Sequence, residues 1–189
     1  LMTVKVESEV LRETQLVVCL LFQYAGMSFV DFAHLKERNI KNGILDYNRQ
    51  KTGTPMRLEI LDTAELMRKE LMGDKRPASG YLFPFLSGTK TGYEAYLEYN
   101  AALSRFNRNL KALKKAAGIA SDVTSYTIRH SFAMALKEQN VPIEMISELL
   151  GHKSIKTTQI YLRSFSLEKM TEVNSTCFGC VYNYVSKVG

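Results

Sequence analysis

The stretch 124–163, TSYTIRHSFAMALKEQNVPIEMISELLGHKSIKTTQIYLR, carries Arg129, His130, His152 and Tyr161 at spacings that helix signals bring together. Ile128, Phe132 and Leu136 recur every four positions, which predicts a helix with these on its buried side and with Arg129 and Tyr126 sharing the opposite, accessible one. A guanidinium on such a face can grip an anion. A second helix is expected to hold Pro142 in its first turn, bury Ile143, Ile146, Leu149 and Leu150, and stop at Gly151, a residue type that tolerates the left-handed turn beyond a helix. His152 would then stand at a fixed corner. Ser154 is placed to cap a third short helix, IKTTQIYL, which carries Tyr161.

These residues carry a resemblance. R-H-x-F-A, then L-G-H, then T-T-Q-I-Y, in that order and spacing, resembles the active-site signature of the tyrosine recombinases, or phage integrase family. In that family a tyrosine hydroxyl attacks a scissile DNA phosphate and leaves a 3'-phosphotyrosine and a free 5'-hydroxyl. The resemblance implies Tyr161 as nucleophile, Arg129 and His152 as phosphate ligands, and His130 as support at the edge of the cluster.

The residue types suit that chemistry. A free tyrosine has a pKa of about 10 and is a poor nucleophile at neutral pH unless cations and a proton acceptor favour its ionisation. Phosphoryl transfer builds negative charge on equatorial oxygens, and an arginine fork binds two of them with parallel hydrogen bonds that a lysine cannot reproduce.

The family protonates the leaving 5'-hydroxyl from a lysine in a β-hairpin. Here ILDYNRQKTGTPMRLEI alternates apolar and polar residues on either side of Lys51, Thr52, Gly53 and Thr54, which predicts two strands around a glycine-containing turn. Lys51 sits at its tip, and by resemblance it is the proton donor.

Two positions depart from the family pattern. Tyr126 stands where a histidine is usual three residues before the second arginine; it can hydrogen-bond a phosphate but cannot act as a base at neutral pH. Upstream, LLFQYAGMSFVDFAHL resembles the first arginine box, with Asp31 as its acidic partner and Ser28 in the arginine's place. Some integrases recruit an arginine from just before the glycine, a position held here by Ala25. Either another cation such as Arg12, Arg38 or Arg57 enters the site, or position 25 has been substituted, or the chain is catalytically weakened. One lost charged donor would cost on the order of 3 kcal/mol, about a hundredfold in rate.

The elements that must position these groups fit one mixed α+β domain, mainly helical, with a small antiparallel sheet near the N-terminal third. At 189 residues with 46% apolar content the chain can bury one ordinary core. The longest apolar run, LVVCLLF, is far shorter than the roughly 18 residues of a membrane span, and no leader-like segment precedes it, so a cytoplasmic protein is expected. Three cysteines suggest no disulfide framework, and the Cys177–Cys180 pair lacks two further zinc ligands nearby. Neither metal nor nucleotide cofactor is expected.

A net charge of +6 and a pI near 9.2 suit a polyanionic partner, here double-stranded DNA. Over 93–118 a helix is predicted with Tyr96, Tyr99, Leu103, Phe106, Leu110 and Leu113 inward. Its other side carries Arg105, Arg108, Lys111, Lys114 and Lys115 as candidate phosphate contacts. The segment 73–92 reads as a loop around a short buried piece, YLFPFL.

Residues 1–170 are expected to form the catalytic domain and 171–189 a tail, in which 181–188 alternates like a half-buried strand. In the family the segment after the nucleophile often docks on a neighbouring protomer, and four protomers hold two duplexes, so a homo-oligomer is implied. The resemblance covers about 10–167, the family's N-terminal helical domain has no counterpart, and the sequence reads as a fragment. Two readings compete: a helix-turn-helix regulator in which Tyr161 is core and Arg129 only touches a phosphate, and a type IB topoisomerase that uses nearly the same chemistry to relax DNA without exchanging strands, against which the compact integrase-like spacing argues.

Overall fold

The apolar run LVVCLL is buried in the middle of α1 (Glu9–Gln23), the helix around which the main core forms. The structure, a computed structural model, describes residues 1–75 and 80–162, with the backbone alone at Tyr161. After α1 come a short helix α2 (Phe29–Ala33), a single 3-10 turn (Glu37–Asn39), strands β1 (Ile40–Lys41), β2 (Ile44–Asn48) and β3 (Pro55–Glu59), and helix α3 (Asp62–Met72). The C-terminal half is helical: α4 (Gly92–Ala116), α5 (Ser125–Glu138), α6 (Ile143–Leu149) and α7 (Ile155–Tyr161). This is the mixed, mainly helical fold with a small antiparallel sheet that the residue pattern predicts.

The three strands pair in sequence order, all antiparallel, and the β2–β3 register sets Tyr47 opposite Met56 and Asn48 opposite Pro55. Alternation sends Leu45, Tyr47 and Met56 into the core and leaves Asp46 and Arg57 outside. Above Asn48 the chain turns through 49–54, where Gly53 takes φ +66 and Arg49 N–H donates to Thr54 O at 2.9 Å.

Aromatic rings join the halves. Phe29 of α2 stacks on Phe106 of α4 with centroids 4.6 Å apart, and Phe32 stacks on Phe83 at 4.1 Å. The expected buried piece within 73–92 is therefore real: Leu82, Phe83 and Leu86 seal the core beside α2. A satellite cluster of Ala133, Ile146 and Leu150 holds α5 to α6.

Two expectations about burial need correction. Tyr96 is exposed because the first turns of α4 run past the edge of the core, where Tyr93 and Tyr96 stack on each other instead; burial begins at Tyr99 and Ala102. On α6, Ile146 and Leu150 are buried, whereas Ile143 and Leu149 are half-buried, because only one side of this short helix meets α5 and α7. The tail 171–189, with Cys177, Cys180, Tyr182 and Tyr184, lies outside the described residues.

Candidate functional site

Arg129 departs from the accessible position that its spacing predicts. It is 5% exposed, with Nη1 donating to Gly26 O at 2.9 Å and Nη2 to Leu150 O. The cause is that α5 begins at a seam between α1 and α6, and the ends of both neighbours offer carbonyls that no helix bond uses. Gly26 (φ +63) lies so close to Phe132 that a Cβ would stand 2.8 Å from that ring. Tyr126, one turn earlier on α5, is exposed, while His130, next after Arg129, is half-buried.

The turn after α6 carries the second group. Gly151 adopts φ +61, its N–H donates to Glu148 O at 2.8 Å, and His152 N–H donates to Ser147 O at 3.0 Å, which closes the helix in a Schellman motif. His152 Nδ1 lies 2.8 Å from Thr158 Oγ1, and Thr158 is fully buried in α7. Burial first, then the charges of Arg129, Arg49 and Lys51, push the imidazole pKa down to about 4. The ring is therefore neutral at pH 7. In the tautomer in which the threonine hydroxyl donates to Nδ1, the ring proton sits on Nε2, where it can serve as a donor.

Ser154 accepts from Lys156 N–H at 3.3 Å, so it caps α7 as its position suggests. The far end of α7 is tied down by Lys137, a buried lysine of α5 whose Nζ donates to Leu162 O at 3.1 Å. That puts the backbone of Tyr161 at the last turn of a helix held at both ends.

Asp31 works on the hairpin. Its carboxylate, 3% exposed, accepts from Gln50 N–H at 2.7 Å and from Ser28 Oγ at 2.5 Å, and pairs with Arg49 Nε at 3.5 Å. Ser28 is thus the N-cap of α2, a role that its hydroxyl fills where a guanidinium could not. Fixing Gln50 fixes the base of the turn, and Lys51 stands exposed one residue further on.

Sequence reasoning missed Arg49. The signal was present: Leu45, Tyr47 and Arg49 are spaced by two, so strand alternation directs all three to the core face. Arg49 is 7% exposed, and its Nη1 donates to Gly151 O at 3.0 Å. None of the three cations named from sequence occupies that place. Arg12 binds Glu70 of α3 at 2.6 and 2.9 Å, Arg38 is exposed on the 3-10 turn, and Arg57 is exposed opposite Asp46.

The basic residues of α4 do not share one face. Asn107 Oδ1 accepts from Ser125 N–H at 2.9 Å and marks the side nearest the start of α5. At about 100° per residue, Lys111 lies roughly 40° from Asn107, Lys115 about 80° and Arg108 about 100°, whereas Arg105 is about 160° away. Arg105 instead lines a recess with Glu13 and Lys75. Lys114 pairs with Asp122 at 3.2 Å. Among the described residues no group of three or more His, Cys, Asp or Glu could hold a metal ion, and no helix is long and apolar enough to cross a membrane.

The fold is that of tyrosine recombinase catalytic domains. It matches XerA recombinase with a TM-score of 0.60 at 20% identity, covering 93% of this chain and 66% of that one. It matches the Tn1549 transposon integrase, solved with a circular intermediate DNA, with a TM-score of 0.64 at 14% identity, covering 89% and 60%. Residues 4–168 match the Phage integrase family, and the chain belongs to that family. Among curated relatives, tyrosine recombinase XerD of Lacticaseibacillus casei is 52% identical over 54 residues, which are 29% of this chain and 18% of that protein. Tyrosine recombinase XerC of Rickettsia typhi is 41% identical over 75 residues, 40% of this chain and 24% of that one. The matched stretches thus span a quarter or less of those relatives.

Proposed function

We propose that this chain is the catalytic domain of a site-specific recombinase that cuts and rejoins double-stranded DNA, for integration or excision of a mobile element in the cytoplasm. In this reading the Tyr161 hydroxyl gives up its proton to water and its oxygen attacks phosphorus, the bond from phosphorus to the 5'-oxygen breaks, and Lys51 gives a proton to that oxygen. Arg129, Tyr126 and the Nε2–H of His152 bind the phosphate oxygens, while His130 and Asp31 support them. The reverse step restores the phosphodiester without nucleotide or metal, because the phosphotyrosine ester conserves the bond energy.

One observation carries the reading. Arg129 of α5 donates to Leu150 O and Arg49 at the hairpin root to Gly151 O, so two guanidinium groups from separate elements meet on the turn that carries His152, with Lys51 two residues beyond Arg49 on the same hairpin. A phosphate is the ligand whose charge such a cluster complements. Arg108, Lys111 and Lys115 extend positive charge toward the start of α5 and suit salt-dependent backbone contacts. Residues 171–189 are a candidate exchange segment between protomers, four of which would hold two duplexes.

The test is a duplex nicked beside the crossover site, incubated with the protein and run on a denaturing gel. The expected result is a covalent protein–DNA band that Tyr161→Phe abolishes. A sequence-specific shift with no covalent band would overturn the reading in favour of a helix-turn-helix regulator.

A further inference from the structure

Arg49 is positioned as more than a structural tie. Its Nε pairs with Asp31 and its Nη1 holds Gly151 O, but Nη2 bonds to no described residue. Nor is that nitrogen sealed from solvent, since Tyr24 Oη is the one fully buried side-chain polar atom without a partner among the described residues. Two guanidinium groups therefore reach consecutive carbonyls of one turn, Arg129 at Leu150 and Arg49 at Gly151, directly before His152.

The charges in this corner do not balance internally. Arg129, Arg49 and Lys51 supply three positive charges, Asp31 supplies one negative, and His152 is neutral, so these groups carry an excess of two. A phosphodiester brings one negative charge, and the transition state of its transfer spreads further charge over the equatorial oxygens.

We propose that Arg49 is a second phosphate-binding arginine, donating from Nη2 to a non-bridging oxygen of the scissile phosphate and replacing the charge absent at Ser28 and Ala25. The donation is a hydrogen bond, and no proton is transferred. Asp31 keeps its part as the carboxylate that orients this arginine, but the cation comes from the hairpin instead of from α2. This inference rests on the proposed DNA cleavage, so its test must separate the two.

The probe is a pool of nicked duplexes with a randomised centre, in two versions: phosphate throughout, or an uncharged methylphosphonate at the nick-proximal linkage. Covalent adduct formation is timed for the full chain and for Arg49→Gln. Within one preparation the ratio of the two rates does not depend on the fraction of folded protein. A side chain that neutralises phosphate charge loses its purpose when the linkage is neutral. Arg49→Gln is therefore expected to slow adduct formation about a hundredfold on phosphate and far less on methylphosphonate, while Arg49→Lys recovers part of the phosphate rate. A rate ratio unchanged from that of the unaltered chain overturns the proposal and leaves the cleavage reading intact. Absence of any adduct with the unaltered chain overturns both.

Discussion

Arg129 Nη1 donates to the carbonyl oxygen of Gly26 at 2.9 Å, joining residues 103 positions apart, while Nη2 of the same side chain reaches Leu150 O. One buried guanidinium thereby fixes the ends of α1 and α6 against the start of α5, and it orients itself in doing so.

Removing that side chain should cost stability as well as binding. Arg129→Ala leaves two carbonyls without their donors and opens a cavity, so a loss of about 2–4 kcal/mol is expected in urea unfolding. Arg129→Lys keeps a charge but cannot span both carbonyls, and it should lose about half as much. Unchanged unfolding midpoints for both variants would show that the seam holds without this residue.

Gly151 is constrained twice, by φ +61 and by space: a Cβ would stand 2.4 Å from Met56 Sδ and 2.7 Å from Arg49 Cδ. Gly43 shares the positive φ, at +75, with nothing within 4 Å. Gly43→Ala should therefore cost only the backbone strain, about 1 kcal/mol. Gly151→Ala should cost clearly more, about 2–4 kcal/mol, because the hairpin must retreat. Equal losses in parallel denaturation curves would show that the hairpin gives way freely.

The imidazole of His152 should titrate near pH 4 in the folded protein, as an NMR titration of its ring protons would show. The sign follows from linkage: the unfolded chain takes up this proton near pH 6.5 and the folded chain does not, so the unfolded state binds more protons in between. The contribution of this group to stability is complete above pH 6.5 and is lost as the pH falls from there through 4. His152→Gln should flatten that part of the stability profile. A ring that titrates at its ordinary value would remove the electrostatic basis for a neutral donor.

Tyr24 is 2% exposed, its hydroxyl has no hydrogen-bond partner among the described residues, and burial pushes its pKa up to about 12. Tyr24→Phe removes only that hydroxyl and should raise stability by about 1 kcal/mol, visible as a higher urea midpoint at unchanged slope. A lower midpoint would mean that the hydroxyl is satisfied in solution.

Local features were the most legible in sequence. The stop at Gly151, the cap at Ser154 and the turn around Gly53 each follow from one residue type meeting one backbone requirement. The apolar periods likewise placed α5 and the two hairpin strands. The burial of Arg129 was hidden because its partners are main-chain oxygens, at 26 and 150, which look the same under any side chain. Lys137 and Leu162 are another such pair. Arg49 was overlooked for a different reason: its strand position pointed inward, but its charge suggested the surface, and only Asp31 and Gly151 together explain how a guanidinium settles there.

Met56 and Arg49 fill the room that any side chain at 151 would need, so the root of the hairpin and the corner bearing His152 are pressed into a single body. Arg49 also holds the Gly151 carbonyl, so a shift of the hairpin root and a shift of the backbone that carries the imidazole are coupled through a residue with no side chain to absorb the difference.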